Sequence, residues 1–299
     1  MKTVLLYLKD FLKENFNYKT YSLTALFLIC CIYVNYQYNF EDKIIDAWYG
    51  KPERTLWYFL FYAFSYYGTV LIQILTAKKK DTVLKKEFWL YTLFGLIVLS
   101  LDASFSWHSE IGKDLPWDVY ILLYKILGDL SGIIATTIPL WLFYLLTKNN
   151  RDNFYGLSTT NTTSVNYYFL MLLIMTIPIL WASFQEDFLT SYPTFPDNEA
   201  YKYLNIPRGI AIGIYEFFYA FDFITVELLF RGFFIIGLYK VLGDKVLLPM
   251  VSTYAFLHFG KPLGETIGSI FGGFILGVFA LKTRNIWGGI ILHVGVALL

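Results

Sequence analysis

Nine apolar stretches follow one another along the 299-residue chain, at about 21–36, 56–77, 88–106, 117–147, 166–184, 208–240, 246–259, 265–281 and 286–299, separated by clusters of charge. A helix needs roughly 20 apolar residues to cross a hydrocarbon core; several stretches approach this, two are long enough to tilt or break, and the last are short. The pattern predicts an all-α, polytopic integral membrane bundle of eight or nine transmembrane helices. It divides into an N-terminal segment 1–20, N-terminal transmembrane helices over 21–160 and a C-terminal transmembrane domain over 165–299. In the first segment Lys2, Lys9, Lys13 and Lys19 interleave with Leu5, Leu8, Leu12 and Phe16 at helical spacing. This suits an amphipathic helix on the inner membrane surface or a plain basic flank. No small-residue cleavage site follows the first apolar run, so a cleaved signal peptide is not expected.

Composition supports the membrane reading. Hydrophobic residues make up 57% and charged residues 16% of the chain, and mean hydropathy is +0.51, outside the range of soluble domains. The formal net charge of +1 provides no global field for nucleic acid, and no such partner is expected. Cys30 and Cys31 are adjacent and form no ordinary disulfide with each other. Loop charges set the orientation. Lys78, Lys79, Lys80, Lys85 and Lys86, then Lys148 and Arg151, Lys240 and Lys245, and Lys282 and Arg284 alternate with acidic loops carrying Glu41, Asp42 and Glu53, then Asp102, Glu110 and Asp114, and Glu186, Asp187, Asp197 and Glu199. Basic loops favour the cytoplasmic side, so the N-terminus is expected inside.

Polar residues within the apolar stretches are the candidates for chemistry. Lys125 and Asp129 stand i, i+4 and are expected to pair internally. Asn161-Thr162-Thr163 matches a glycosylation sequon but falls in a loop assigned to the inner side. Gly264, Gly268, Gly272, Gly273 and Gly277 suggest a close-packing helix face, and Pro139 and Pro178 suggest kinks. Glu227 and Arg231 lie one turn apart in the sixth stretch. An ionised side chain at that depth is costly unless paired, so the two form either a structural ion pair or part of a site. At 1.5 Å per residue from the inner-side charges, Glu227 and His258 lie roughly 20 Å up their helices and His293 roughly 14 Å. Two of the three histidines in the chain thus share the depth of a buried carboxylate, which points to a metal or general acid/base site.

Glu227-x-x-x-Arg231, Tyr254-x-x-x-His258 and Trp287-Gly-Gly-Ile-Ile-Leu-His293, each in its own helix, resemble the CPBP family of intramembrane proteases, which includes the type II CAAX prenyl endopeptidases and the bacterial Abi proteins. The resemblance covers roughly 165–299. It implies a multi-pass protein of a bacterial cell membrane that hydrolyses a peptide bond of a membrane-associated peptide or protein. Glu227 matches the second Glu of the family's EExxxR pattern and Arg231 its Arg. His258 and His293 match the two histidines, implied ligands of zinc or another divalent metal or donors on the oxyanion side, with Tyr254 as motif support. Val226 replaces the first Glu, Tyr254 a Phe, and Ala297 an Asn. An aliphatic side chain cannot take a proton from water, so Glu227 acts alone, another carboxylate takes over, or the chemistry is lost. Glu265 is the expected substitute base; Asp222, about 140° around the helix from Glu227, is the weaker choice. A non-catalytic relative acting as an immunity or scaffold protein is the alternative class, and a transporter the third.

Overall fold

The computed structural model describes residues 2–77, 83–147, 153–158, 165–196 and 198–299. The sequon, residues 78–80, Lys148, Arg151 and Asp197 lie outside them. Among the described residues the chain is helical, without strands. The first half comprises α1 (Lys2–Asn15), α2 (Tyr18–Tyr38), α3 (Glu53–Ala77), α4 (Lys86–Ser104), α5 (Trp117–Gly132) and α6 (Ile138–Thr147). The second comprises α7 (Val165–Ala182), α8 (Glu186–Ser191), α9 (Ala200–Tyr203), α10 (Arg208–Glu227), α11 (Tyr239–Leu242), α12 (Leu247–Leu257), α13 (Leu263–Thr283) and α14 (Trp287–Ala297).

The chain is an integral membrane helical protein. Among the described residues four helices are long and apolar enough to cross a membrane, or five if the bent pair Tyr18–Tyr38 and Glu41–Trp48 is one span. The second half carries its apolar stretches on helices of varied length and type. Helices α12 and α14 have 11 residues each, and α10 passes at Glu227 into a π-helical segment, Leu228–Gly237. Wider i→i+5 pairing marks that segment, as in Leu238 N donating to Phe233 O at 3.1 Å, and such widened turns are frequent at functional sites. The outer surface is apolar, with Leu75, Leu146, Ile177 and Trp181 exposed, as lipid contact requires.

The π-helical segment occupies the centre of the core. Phe233, fully buried, meets Phe94, Phe143 and Tyr155 edge-on at centroid distances of 5.7, 5.8 and 5.4 Å. A Cβ at Gly95 would lie 2.6 Å from the Phe233 ring and 2.8 Å from that of Phe234; only glycine lets α4 come this close. Polar ties join the two halves. Thr69 Oγ1 donates to Ser252 Oγ at 2.8 Å, Gln73 Nε2 to Lys245 O at 3.0 Å, and Asn35 Nδ2 to Phe259 O at 3.0 Å.

Two local expectations are corrected. Lys125 Nζ donates to the Thr194 carbonyl instead of pairing with Asp129, whose Oδ2 is buried without a partner. The α13 glycines do not form one packing face: Gly264, Gly268 and Gly272 look onto open space, whereas Gly273 and Gly277 accept Tyr254 and Leu247. Spacing alone cannot tell a lipid-facing stripe from a packed one. In the N-terminal segment Phe11 is buried, edge-on to Phe274 at 5.9 Å, while Leu5 and Phe16 are exposed.

Candidate functional site

Glu227 is the last residue of α10, and Arg231 lies one turn on, in the π-helical segment. Their exposures are 0% and 1%, so both charges are out of reach of lipid and bulk water. Arg231 Nη1 stands 2.9 Å from Glu227 Oε1; the contact is an ion pair by distance but not a hydrogen bond by angle. The guanidinium lies 4.2 Å from the centroid of the Tyr254 ring, a cation–π contact that compensates part of its lost hydration.

The same Glu227 oxygen accepts a hydrogen bond from His293 Nδ1 at 3.0 Å. This fixes the α14 imidazole with its proton on Nδ1, leaving Nε2 to accept from the Tyr254 hydroxyl at 3.3 Å. The α14 helix comes this near because of Gly288 and Gly289. A Cβ on Gly288 would collide with the Tyr168 ring, and one on Gly289 with Glu227 Oε2. That second carboxylate oxygen is buried and has no hydrogen-bond partner.

His258 follows the last residue of α12, and its Nδ1 donates to the Tyr254 carbonyl at 2.8 Å. Its Nε2 has no partner among the described residues and carries the lone pair. Hydrogen bonds from Thr266 Oγ1 to the His258 carbonyl and from Tyr36 Oη to the Lys261 carbonyl at 2.6 Å hold the turn between α12 and α13. The two histidines therefore reach the site on different helices with the same tautomer.

His258 and His293 line a cavity of about 640 Å³, together with Val226, Phe223, Lys261 and Ala297. Glu227, Arg231 and Tyr254 do not line it; they form the layer behind His293. Glu265 is on the wall, its Oε2 accepting from the Tyr192 hydroxyl at 2.7 Å. Burial and the Glu265 carboxylate push the Tyr192 phenol well above its ordinary range, so it remains a donor. Asp102, Glu216 and Asp222 also line the cavity. The sequence reading put Asp102 in a loop, but it belongs to the end of α4; the available signal was one acid closing an otherwise apolar run.

The metal expectation can be tested against these donors. His258 Nε2 is open and His293 Nε2 is shared with Tyr254, so two imidazoles of one cavity lining are available as donors. Among the described residues, the group of three ligand-type side chains close enough to share an ion is Glu41, Asp42 and Asp46, not the histidine pair. The histidines fit as two ligands of a set, and a metal would compete with the Tyr254 hydroxyl for His293.

No curated protein and no solved structure matches the chain. Residues 210–299, which hold Glu227, Arg231, Tyr254, His258 and His293, match the family model of the type II CAAX prenyl endopeptidases, Rce1-like, and over this region the chain is similar to the CPBP proteases whose motifs it carries.

Proposed function

We propose that the protein is an intramembrane endopeptidase of the CAAX-protease type, hydrolysing a peptide bond of a membrane-associated peptide or protein in the cavity lined by His258 and His293. The observation that carries this reading is that both motif histidines line one cavity, each with Nδ1 hydrogen-bonded to an oxygen of the protein. Glu227 holds the His293 ring and offsets the charge of Arg231. Tyr254 links the two histidines, donating its hydroxyl to one and accepting from the other through its carbonyl. The reaction consumes one water as the C–N bond breaks, giving a carboxylate and an amine. Zinc or another divalent ion is the proposed cofactor, held by His258 and His293; when bound it polarises a carbonyl and lowers the pKa of a water. The mostly apolar walls strengthen charge interactions inside the cavity.

The test is cleavage by the purified protein in lipid–detergent micelles. An internally quenched peptide with a farnesylated cysteine and the same peptide without the lipid serve as substrates. The expected result is hydrolysis by the native protein and loss in both His258→Ala and His293→Ala. Cleavage of neither peptide, or equal cleavage by all three proteins, would overturn the reading.

One observation favours a second reading. Val226, on the cavity wall, stands where the family pattern has its water-activating Glu. A non-catalytic relative would hold a membrane peptide in the same cavity and release it intact.

A further inference from the structure

The side of α10 that faces the cavity carries Tyr219, Asp222, Phe223 and Val226, residues at helical spacing. Asp222 precedes Val226 by four residues, so its side chain leaves the helix only about 40° from that of Val226. Glu227, about 140° from Asp222, faces away, toward His293 and α14. The carboxylate on the Val226 side of α10 is therefore Asp222, one turn nearer the N-terminal end.

Its surroundings hold it in place without using it up. Thr225 Oγ1 donates to the Asp222 carbonyl at 2.8 Å, with Asp222 Oδ1 a second, longer acceptor at 3.2 Å. Behind it α5 ends in Gly132, where a Cβ would lie 3.1 Å from Oδ1 and 2.7 Å from Thr225 Oγ1. Asp222 lines the cavity, and among the described residues its carboxylate is hydrogen-bonded through Oδ1 and not Oδ2. Glu265, by contrast, gives Oε2 to Tyr192. Glu216 lies six residues further back, roughly 9 Å along the helix.

We propose that Asp222 is the general base of this cavity, taking over on the same helix side the task that Val226 cannot perform. This rests on the hydrolytic reading above. The carboxylate removes one proton from water as the water oxygen bonds to the peptide carbonyl carbon. The proton then passes to the leaving nitrogen as the C–N bond breaks, returning Asp222 to its ionised form.

The experiment uses the full-length protein and the quenched farnesylated peptide. Asp222→Asn is expected to lower kcat by about 10²- to 10⁴-fold, the usual share of a general base, with KM and melting temperature little changed. Asp222→Glu is expected to keep measurable activity, and D222N/V226E to regain it. Asp222→Ser is run alongside, since Asn can disturb the Thr225 contact. Activity within tenfold of native in either folded neutral variant would overturn the assignment and leave the hydrolytic reading intact. A native protein that cleaves neither the farnesylated nor the unmodified peptide would overturn both, and activity gained only with V226E would identify a relative without a base.

Discussion

Glu227 accepts a hydrogen bond from His293 Nδ1 at 3.0 Å from behind the ring, on the side away from the cavity. The family-matched carboxylate thus orients an imidazole and balances Arg231 without meeting the cavity itself. A neutral glutamine in its place would leave the buried guanidinium without its counter-charge, a change that typically costs about 3–5 kcal/mol. Glu227→Gln is accordingly expected to lower the melting temperature in detergent, with any residual cleavage keeping the native pH profile. A stable variant with a shifted profile would instead make Glu227 the titrating base.

Gly289 and Gly272 predict opposite outcomes for the same substitution. A methyl at 289 would meet Glu227 Oε2, pushing α14 and His293 off position at about 1–3 kcal/mol for overpacking. At 272 nothing lies within 4 Å, and alanine should stabilise the helix by roughly 0.5–1 kcal/mol. Thermal denaturation of Gly289→Ala and Gly272→Ala measures both; equal shifts would contradict the packing described for α14.

Metal content provides an independent readout of the histidines. If His258 and His293 supply two ligands, purified native protein should carry about one equivalent of a divalent metal, and His258→Ala and His293→Ala should each lose it, as ligand loss at a small coordination set predicts. Elemental mass spectrometry reads this without an activity assay. Metal retained in both variants would place the ion elsewhere, for example at Glu41, Asp42 and Asp46.

Orientation follows from the basic loops. In a background lacking Cys30 and Cys31, a membrane-impermeant thiol reagent applied to intact cells should label a cysteine at Thr190 and spare one at Lys85, since Lys85 and Lys86 sit in a basic cluster. Thr190 lies beside the cavity residues Leu189 and Tyr192. The reverse labelling would put that side of the cavity toward the cytoplasm.

Periodicity and burial cost made much of this site legible in advance, and their limits explain the rest. Glu227, Arg231, His258 and His293 stand out because ionisable groups are expensive in an apolar helix, and the structure brings Arg231 and His293 onto one oxygen of Glu227. The cavity wall was harder to read. It depends on which side of α10 faces inward, and measuring angles from Glu227 alone turned Asp222 away, whereas measuring from Val226 turns it in. Hydropathy registers a stretch by composition alone, whereas the helices that form in the last part of the chain include α12 and α14, of 11 residues each. The paired glycines before His293 belong to the motif, yet their physical role, admitting Tyr168 and the Glu227 carboxylate, is set by the neighbouring helices.

The cavity is built from both halves of the chain. Leu99, Asp102 and Thr136, with Ile179, Phe188 and Tyr192, line it from segments that precede residue 210, outside the residues matched by the family model. On the proposed reading, reactivity and choice of substrate are separable: the proposed chemistry rests on residues of the C-terminal region, while the earlier helices supply other lining that a bound peptide would touch. A chimera that exchanges α4 through α8 for other sequence of equal length should change which peptides are accepted before it changes how the bond is broken.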